Sequence, residues 1–488
     1  MEYLNYGYTT AWKIIYSDFS GVERRAVELL SRELGERVNR DAGVYSLHVL
    51  PCEKESENTE IGISAVVVGA YSESALIRRF VSEEENNSHA YIIKVVNNPD
   101  FEGGSIAFIT SDNPAMLYRA AARFIDDYTE EYAPLHGGMR LSCEMFKKEL
   151  PEATLYGEES FATRSIFAWG HAINDYRSFI SDMARQGLNQ LILWNDFAPL
   201  NAHDIVEYAH SFGIEIIWGY AWGWSENACS KTTDLSKEAL ARLKAEVLKQ
   251  YDEIWQGLGD GIYFQSFTEM RKDNIGGVNI AEAVTDFVNE VAEELYKRDP
   301  RLHLQFGLHA TSVKDHADAI ARVDKRIEIL WEDCGAFPYA YIPAPSTEEE
   351  FESALDFTER IINLRPGAPV GLVFKGFATL DWTNGRFVHQ RGRFILGENT
   401  PGLMENDRHL RADAWRAFSA GWARYGEYAR RMIEYVHKLT GGRCNVCMAG
   451  LFDGGIWLPE AICTDIFENP YEDFSKILER TMGRRNVK

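Results

Sequence analysis

Apolar positions along this chain change rhythm once. Up to the polar bridge Lys147–Ala153, short β-rich runs alternate with stretches of helical spacing: Trp12 to Tyr16, Val22 to Leu34, Ile63 to Val68, Ala90 to Val96 and Ser105 to Thr110. A helix follows from Asn113 to about Tyr132, with Pro114 where a missing N–H costs nothing. The pattern predicts a small N-terminal α/β sandwich over residues 1–153, its sheet mixed rather than all parallel.

From Ala162 the chain settles into a strand, loop, helix cycle. The strand candidates are Ser165–Trp169, Gln190–Trp194, Glu215–Tyr220, Gly261–Ser266, Leu302–Leu308, Ile327–Trp331, Val370–Phe374 and Asn445–Leu451. Between them apolar residues recur at helical spacing, as in Tyr176, Phe179, Ile180 and Met183. Eight such repeats predict a (β/α)8 TIM barrel over 154–488, with a long insert at 383–410 after the seventh strand. A doubly wound open sheet is the alternative, but the glycine-rich phosphate turn that would follow an early strand is missing.

Charge and cysteine content narrow the function classes. With 51 basic and 74 acidic residues the formal net charge is −23, which disfavours nucleic acid and anionic membrane as partners. Met1 to Tyr6 carries no basic region and no apolar run of signal length, and 7 cysteines are scattered along the chain, so reduced thiols in the cytoplasm are expected. Cys444 and Cys447 form a lone CxxC without the second pair of a zinc site; no metal and no cofactor is expected.

Barrel enzymes carry their chemistry at the C-terminal ends of the strands, so the residues closing each run become candidates. Those expected to bind substrate are Trp169, Trp194, Asn195, Asp196, Tyr220, Trp222, Trp224, His309, Trp331, Lys375 and Trp382. Of the 12 Trp, those at positions 169, 194, 218, 222, 224, 331, 382 and 457 fall at or near such ends. Indole faces around a polar cleft suit the apolar C–H face of a sugar ring; the competing reading is that large aromatics cap the barrel core.

A glycosidic bond is hydrolysed by a pair of carboxyl groups, one a general acid and one a base or nucleophile. Glu269 follows the fourth strand between Thr268 and Met270, with Phe267 nearby, and an apolar cup would hold a carboxyl protonated. For its partner the order of expectation is Asp333, then Glu332, then Asp381. Lys375, in an apolar strand, must be paired or used; it could hold a substrate oxygen or pair with Glu332. The insert segment Asn384–Phe394 carries Arg386, His389, Arg391 and Arg393, which could bind an anionic sugar or form a homo-oligomer contact.

The run from Asp260-Gly261 to Glu269 is similar in spacing to the strand-four motif of family 67 α-glucuronidases. More broadly the chain resembles glycoside hydrolases of the α-glucuronidase and family 20 β-hexosaminidase type, which place a small α/β domain before a (β/α)8 barrel. The resemblance implies an exo-acting glycosidase with Glu269 as general acid. It stops there: Gly335-Ala336-Phe337-Pro338 stands where the glucuronidases carry an aspartate, and Thr268 replaces the aspartate of a hexosaminidase Asp-Glu pair. Two alternatives stay open. One is a carbohydrate-binding protein on a decayed glycosidase barrel; the other is a lyase or metal-dependent isomerase using His171, Asp196, His309 and Asp453.

Overall fold

The computed structural model describes residues 12–41, 50–128, 135–136, 139–140, 150–195, 197–225, 230–231, 234–270, 272–332, 347–375, 377, 393–452, 454–484 and 486–488. The N-terminal sheet has six strands in the order Cys52–Lys54, Trp12–Tyr16, Ser64–Gly69, Ser105–Thr110, Tyr91–Asn97 and Ala153–Gly157. The first four are parallel and the last two antiparallel to their neighbours, so the sheet is mixed as the spacing predicts. Its last strand crosses the expected boundary at 153: Tyr91 to Val95 hydrogen-bond along Ala153–Gly157, which therefore belong to this sheet.

The rest is a closed barrel of eight parallel strands, numbered one to eight here: Thr163–Trp169, Gln190–Trp194, Glu215–Ala221, Gly261–Gln265, His303–Leu308, Glu328–Trp331, Val370–Phe374 and Asn445–Gly450. All eight runs expected from the sequence are present, each within two residues of its expected ends. Strand eight closes on strand one, with Cys447 opposite Ser165. Glycine makes some of the returns possible: Gly441, at φ 59°, ends the helix Pro401–Thr440 in the left-handed conformation just before strand eight.

Alternation along each strand sorts side chains into two cores. Phe167, Trp169, Ile192, Trp194, Ile217, Tyr263, Leu330, Val373, Cys447 and Ala449 fill the barrel. The intervening positions, such as Trp218, Phe264, Phe306, Ile329 and Phe374, pack outward on the helices in one apolar cluster that runs on into the N-terminal unit.

An ion-pair network also ties the two units. Arg119, on the N-terminal helix Pro114–Arg123, donates to Glu468 at 2.7 Å, and Arg484 bridges Asp127 (2.7 Å) and Asp465 (2.8 Å). Burial pushes the Asp465 carboxyl up, but the Arg480 hydrogen bond and the Arg484 charge outweigh it and hold the pKa down at about 2. Among the described residues no helix is long and apolar enough to cross a membrane.

Candidate functional site

At the C-terminal end of the barrel, four neighbouring strands deliver polar groups into one place. Strand four, counted inward from Gly261, presents Tyr263 and then Gln265; His309 follows strand five, Glu332 follows strand six and Lys375 follows strand seven. These groups converge on the Glu332 carboxylate. Its Oε1 accepts hydrogen bonds from Tyr263 Oη and from Gln265 Nε2, the latter at 2.5 Å. Its Oε2 lies 3.5 Å from His309 Nε2 and 3.6 Å from Lys375 Nζ.

Glu332 is only 6% exposed, so an unsupported charge there would be costly. The surrounding donors offset that cost, because each stabilises the ionised carboxylate. Burial, followed by the charge and hydrogen bond of Glu332, raises the Tyr263 phenol well above its ordinary range, so this hydroxyl keeps its proton. Across the barrel, burial above all pushes the Cys447 thiol up to about 12; a hydrogen bond with Ser165 opposes this, and the charges of Glu332 and Glu328 add to it.

Backbone spacing makes this convergence possible. A Cβ on Gly307 would overlap the Tyr263 hydroxyl and come 2.7 Å from Glu332 Oε1, so only glycine leaves room for the pair on strand five. Trp194 stands next to Tyr263, their rings edge to face at 6.0 Å, and Trp169 packs against Phe167 at 4.9 Å. These two indoles belong to the barrel interior and close strands one and two at the same end as Glu332.

The other aromatics expected to bind substrate are turned away from this place. Tyr220 donates to the Val247 carbonyl of helix Lys237–Gln250 and stacks on Trp255. Trp222 lies face to face on Phe264 at 3.6 Å, and Trp331 meets Phe357 edge-on. This corrects the sequence expectation: even-numbered positions on strands three and four, and Trp331 on strand six, face the helices, so these rings are core. Trp218 is likewise fully buried.

Glu269 is half-buried four residues past the end of strand four, in a turn where Met270 N–H donates to the Thr268 carbonyl. Asn195 directly follows strand two and is buried beside Gly170. Asp196, Asp333, Asp381, Trp382, His389, Arg391 and Asp453 lie outside the described residues, as does the side chain of Trp224. At the far end of the insert, the chain at 394–397 is pinned to the loops after strands one and two: Leu200 N–H donates to the Phe394 carbonyl (2.8 Å), and Tyr176 N–H to that of Gly397 (3.0 Å). Among the described residues no group of three or more His, Cys, Asp or Glu could hold a metal ion.

Sequence reasoning missed Tyr263 and Gln265. The signal was available: a tyrosine and a glutamine two apart, in phase with Gly261, inside a β-rich run.

No family model and no curated protein matches this chain. Solved structures similar to it include CpGH84B (11% identity over 96% of this chain and 70% of that one, TM-score 0.48). A GH138 enzyme targeting pectin rhamnogalacturonan II is 10% identical over 97% of this chain and 50% of its own, with a TM-score of 0.45. CpGH84D is 12% identical over 71% of this chain and 55% of its own, with a TM-score of 0.42. The chain thus spans about half the length of the last two.

Proposed function

We propose that this protein hydrolyses glycosidic bonds in the barrel mouth, with Glu332 as the ionised base or nucleophile and Glu269 as the general acid. The observation that carries the reading is the Glu332 carboxylate itself. It is buried, it accepts hydrogen bonds from Tyr263 and Gln265 of strand four, it has His309 and Lys375 within 3.6 Å, and it lies at the same barrel end as the interior indoles Trp169 and Trp194. A carboxylate surrounded by donors is a poor acid and a well-placed base or nucleophile. The acid then has to come from another group, and we assign that role to Glu269, in the loop that follows strand four, the strand that carries Tyr263 and Gln265. The reading includes exo action on an oligosaccharide, with Lys375, 20% exposed, turned partly toward the substrate's hydroxyl or carboxylate oxygens.

A panel of aryl glycosides that includes uronides and N-acetylhexosaminides tests this. Glu332→Gln and Glu269→Gln are each expected to lower the rate on the cleaved glycoside by ~10²–10⁴, the range typical of a lost acid or base. If Glu332→Gln turned over every substrate at the wild-type rate, the assignment would be wrong. The anomeric configuration of the product first released by the wild type separates the two roles: retention marks a nucleophile, and inversion a base activating water. Sugar binding without any turnover would instead indicate the non-catalytic carbohydrate-binding protein.

A further inference from the structure

We infer that Tyr263 is the positioning residue that holds Glu332 as an oriented carboxylate and thereby assigns it the base or nucleophile role. The inference rests on the glycosidase reading above and identifies what sets the division of labour within that site.

Tyr263 is 1% exposed, so it does not touch substrate and acts only through what it bonds. Its hydroxyl meets Glu332 Oε1 across the interior, from strand four to strand six, with Gly307 of the intervening strand five giving up the space between them. Phe167 and Trp194 pack on the Tyr263 ring at 5.0 Å and 6.0 Å, which fixes the direction of the O–H. A buried phenol that keeps its proton can only donate to a carboxylate. Glu332 Oε1 is thereby committed to accepting, and Oε2 is left toward His309 and Lys375.

The charged and titratable groups that face Glu332 among the described residues are Tyr263 from strand four, His309 from strand five, Lys375 from strand seven and Cys447 from strand eight. Gln265 adds a neutral donor beside Tyr263. Removing the Tyr263 hydroxyl should therefore make Glu332 easier to protonate while His309 and Lys375 stay in place.

The test is the pH profile of Tyr263→Phe. Its acid limb should move up by about one to two pH units, the size expected for one lost hydrogen bond to a charged group. The basic limb, set by the acid, should stay where it is; kcat should fall near neutral pH and KM change little. A merely structural tyrosine would leave the acid limb in place, and an unmoved limb in a folded Tyr263→Phe protein would overturn the inference.

A second measurement needs no substrate. Thermal unfolding of wild type, Tyr263→Phe, Glu332→Gln and the double variant forms a cycle, in which the two changes should be coupled at pH 7 and the coupling should fade in acid. Additive effects at every pH would sink the Tyr263–Glu332 link. Coupling in a protein that cleaves no glycoside would keep the link and remove the glycosidase reading, so the two failures are told apart.

Discussion

Strand six carries two inward glutamates, Glu328 where the strand begins and Glu332 just past its end, and the barrel treats them differently. At the N-terminal end Glu328 belongs to a network of amides. Gln305 Nε2 donates to Glu328 Oε2 and to Gln190 Oε1, both at 2.7 Å, while Asn445 also donates to Gln190 and accepts from Ser165. The imidazole of His303 joins at 3.0 Å. At the mouth Glu332 faces a phenol, one amide, an imidazole and an ammonium. Gln305, Gln190 and Asn445 tie strands to one another and do not titrate, so the lower network, His303 apart, fixes register and closure. The upper cluster places groups that can gain or lose protons around a single carboxylate, at the end of the barrel where sites are built. Burial alone does not separate the two, since Glu328 is 5% and Glu332 6% exposed. The chemistry of the partners does.

The largest expected effect comes from making the same substitution at each end. Glu332→Gln should lower hydrolysis by ~10²–10⁴ and also cost ~1–3 kcal/mol of stability, because Tyr263, Gln265 and Lys375 lose a charged partner. Glu328→Gln should leave the rate on the same glycoside unchanged and cost ~1–3 kcal/mol of stability, because the buried amide of Gln305 and the half-buried His303 lose a charged partner. Paired rate measurements and urea unfolding check both. Equal losses of rate at the two positions would abolish the distinction between the ends. Gly307→Ala comes next: the added methyl must displace either Tyr263 or Glu332, so it should reproduce the upward-shifted acid limb of Tyr263→Phe together with a loss of stability of roughly 1–3 kcal/mol from overpacking. A Gly307→Ala protein with the wild-type pH–rate profile would mean that the Tyr263–Glu332 contact does not matter for the proposed reaction.

How much of this could be read from the sequence differs between fold and site, for a physical reason. The eight strands were legible because each is an apolar, β-rich run bounded by polar loops, and that pattern is local. The direction of each side chain was also available, through a period of two, but it needs the right starting phase. Taking every aromatic near a strand end as a mouth residue ignored that phase, and Tyr220, Trp222 and Trp331 proved to be core, while Trp169 and Trp194, in the other phase, belong to the interior. Glu332 and Lys375 could be named as a possible pair from their placement at neighbouring strand ends. The tyrosine and glutamine that complete the cluster share the inward phase of Gly261, but that phase does not say which residue on another strand they meet. The fold needed one-dimensional periodicity; the site needed the closure of the barrel, which brings residues 263, 307 and 332 together.

The smallest effect lies at the lower end and tests whether that end is chemically quiet. Burial pulls the His303 pKa down, but the Glu328 hydrogen bond and charge outweigh it, so the value in the folded protein is raised. A raised value on a base means stability that is complete below the unfolded pKa of about 6.5 and is lost as pH rises through the folded value. The His303 side chain is 34% exposed, so solvent screens the pair, and the pH-dependent part should be no more than about 1 kcal/mol. Unfolding midpoints at pH 5.5 and pH 8.5 for wild type, His303→Gln and Glu328→Gln would show it. Wild type should lose slightly more between the two pH values than either variant, and the pH–rate profile on the cleaved glycoside should be the same in His303→Gln as in wild type. If His303→Gln moved that rate profile, the lower network would be coupled to the chemistry, and the barrel interior would act as one titrating unit from Glu328 to Glu332 instead of two separate ends.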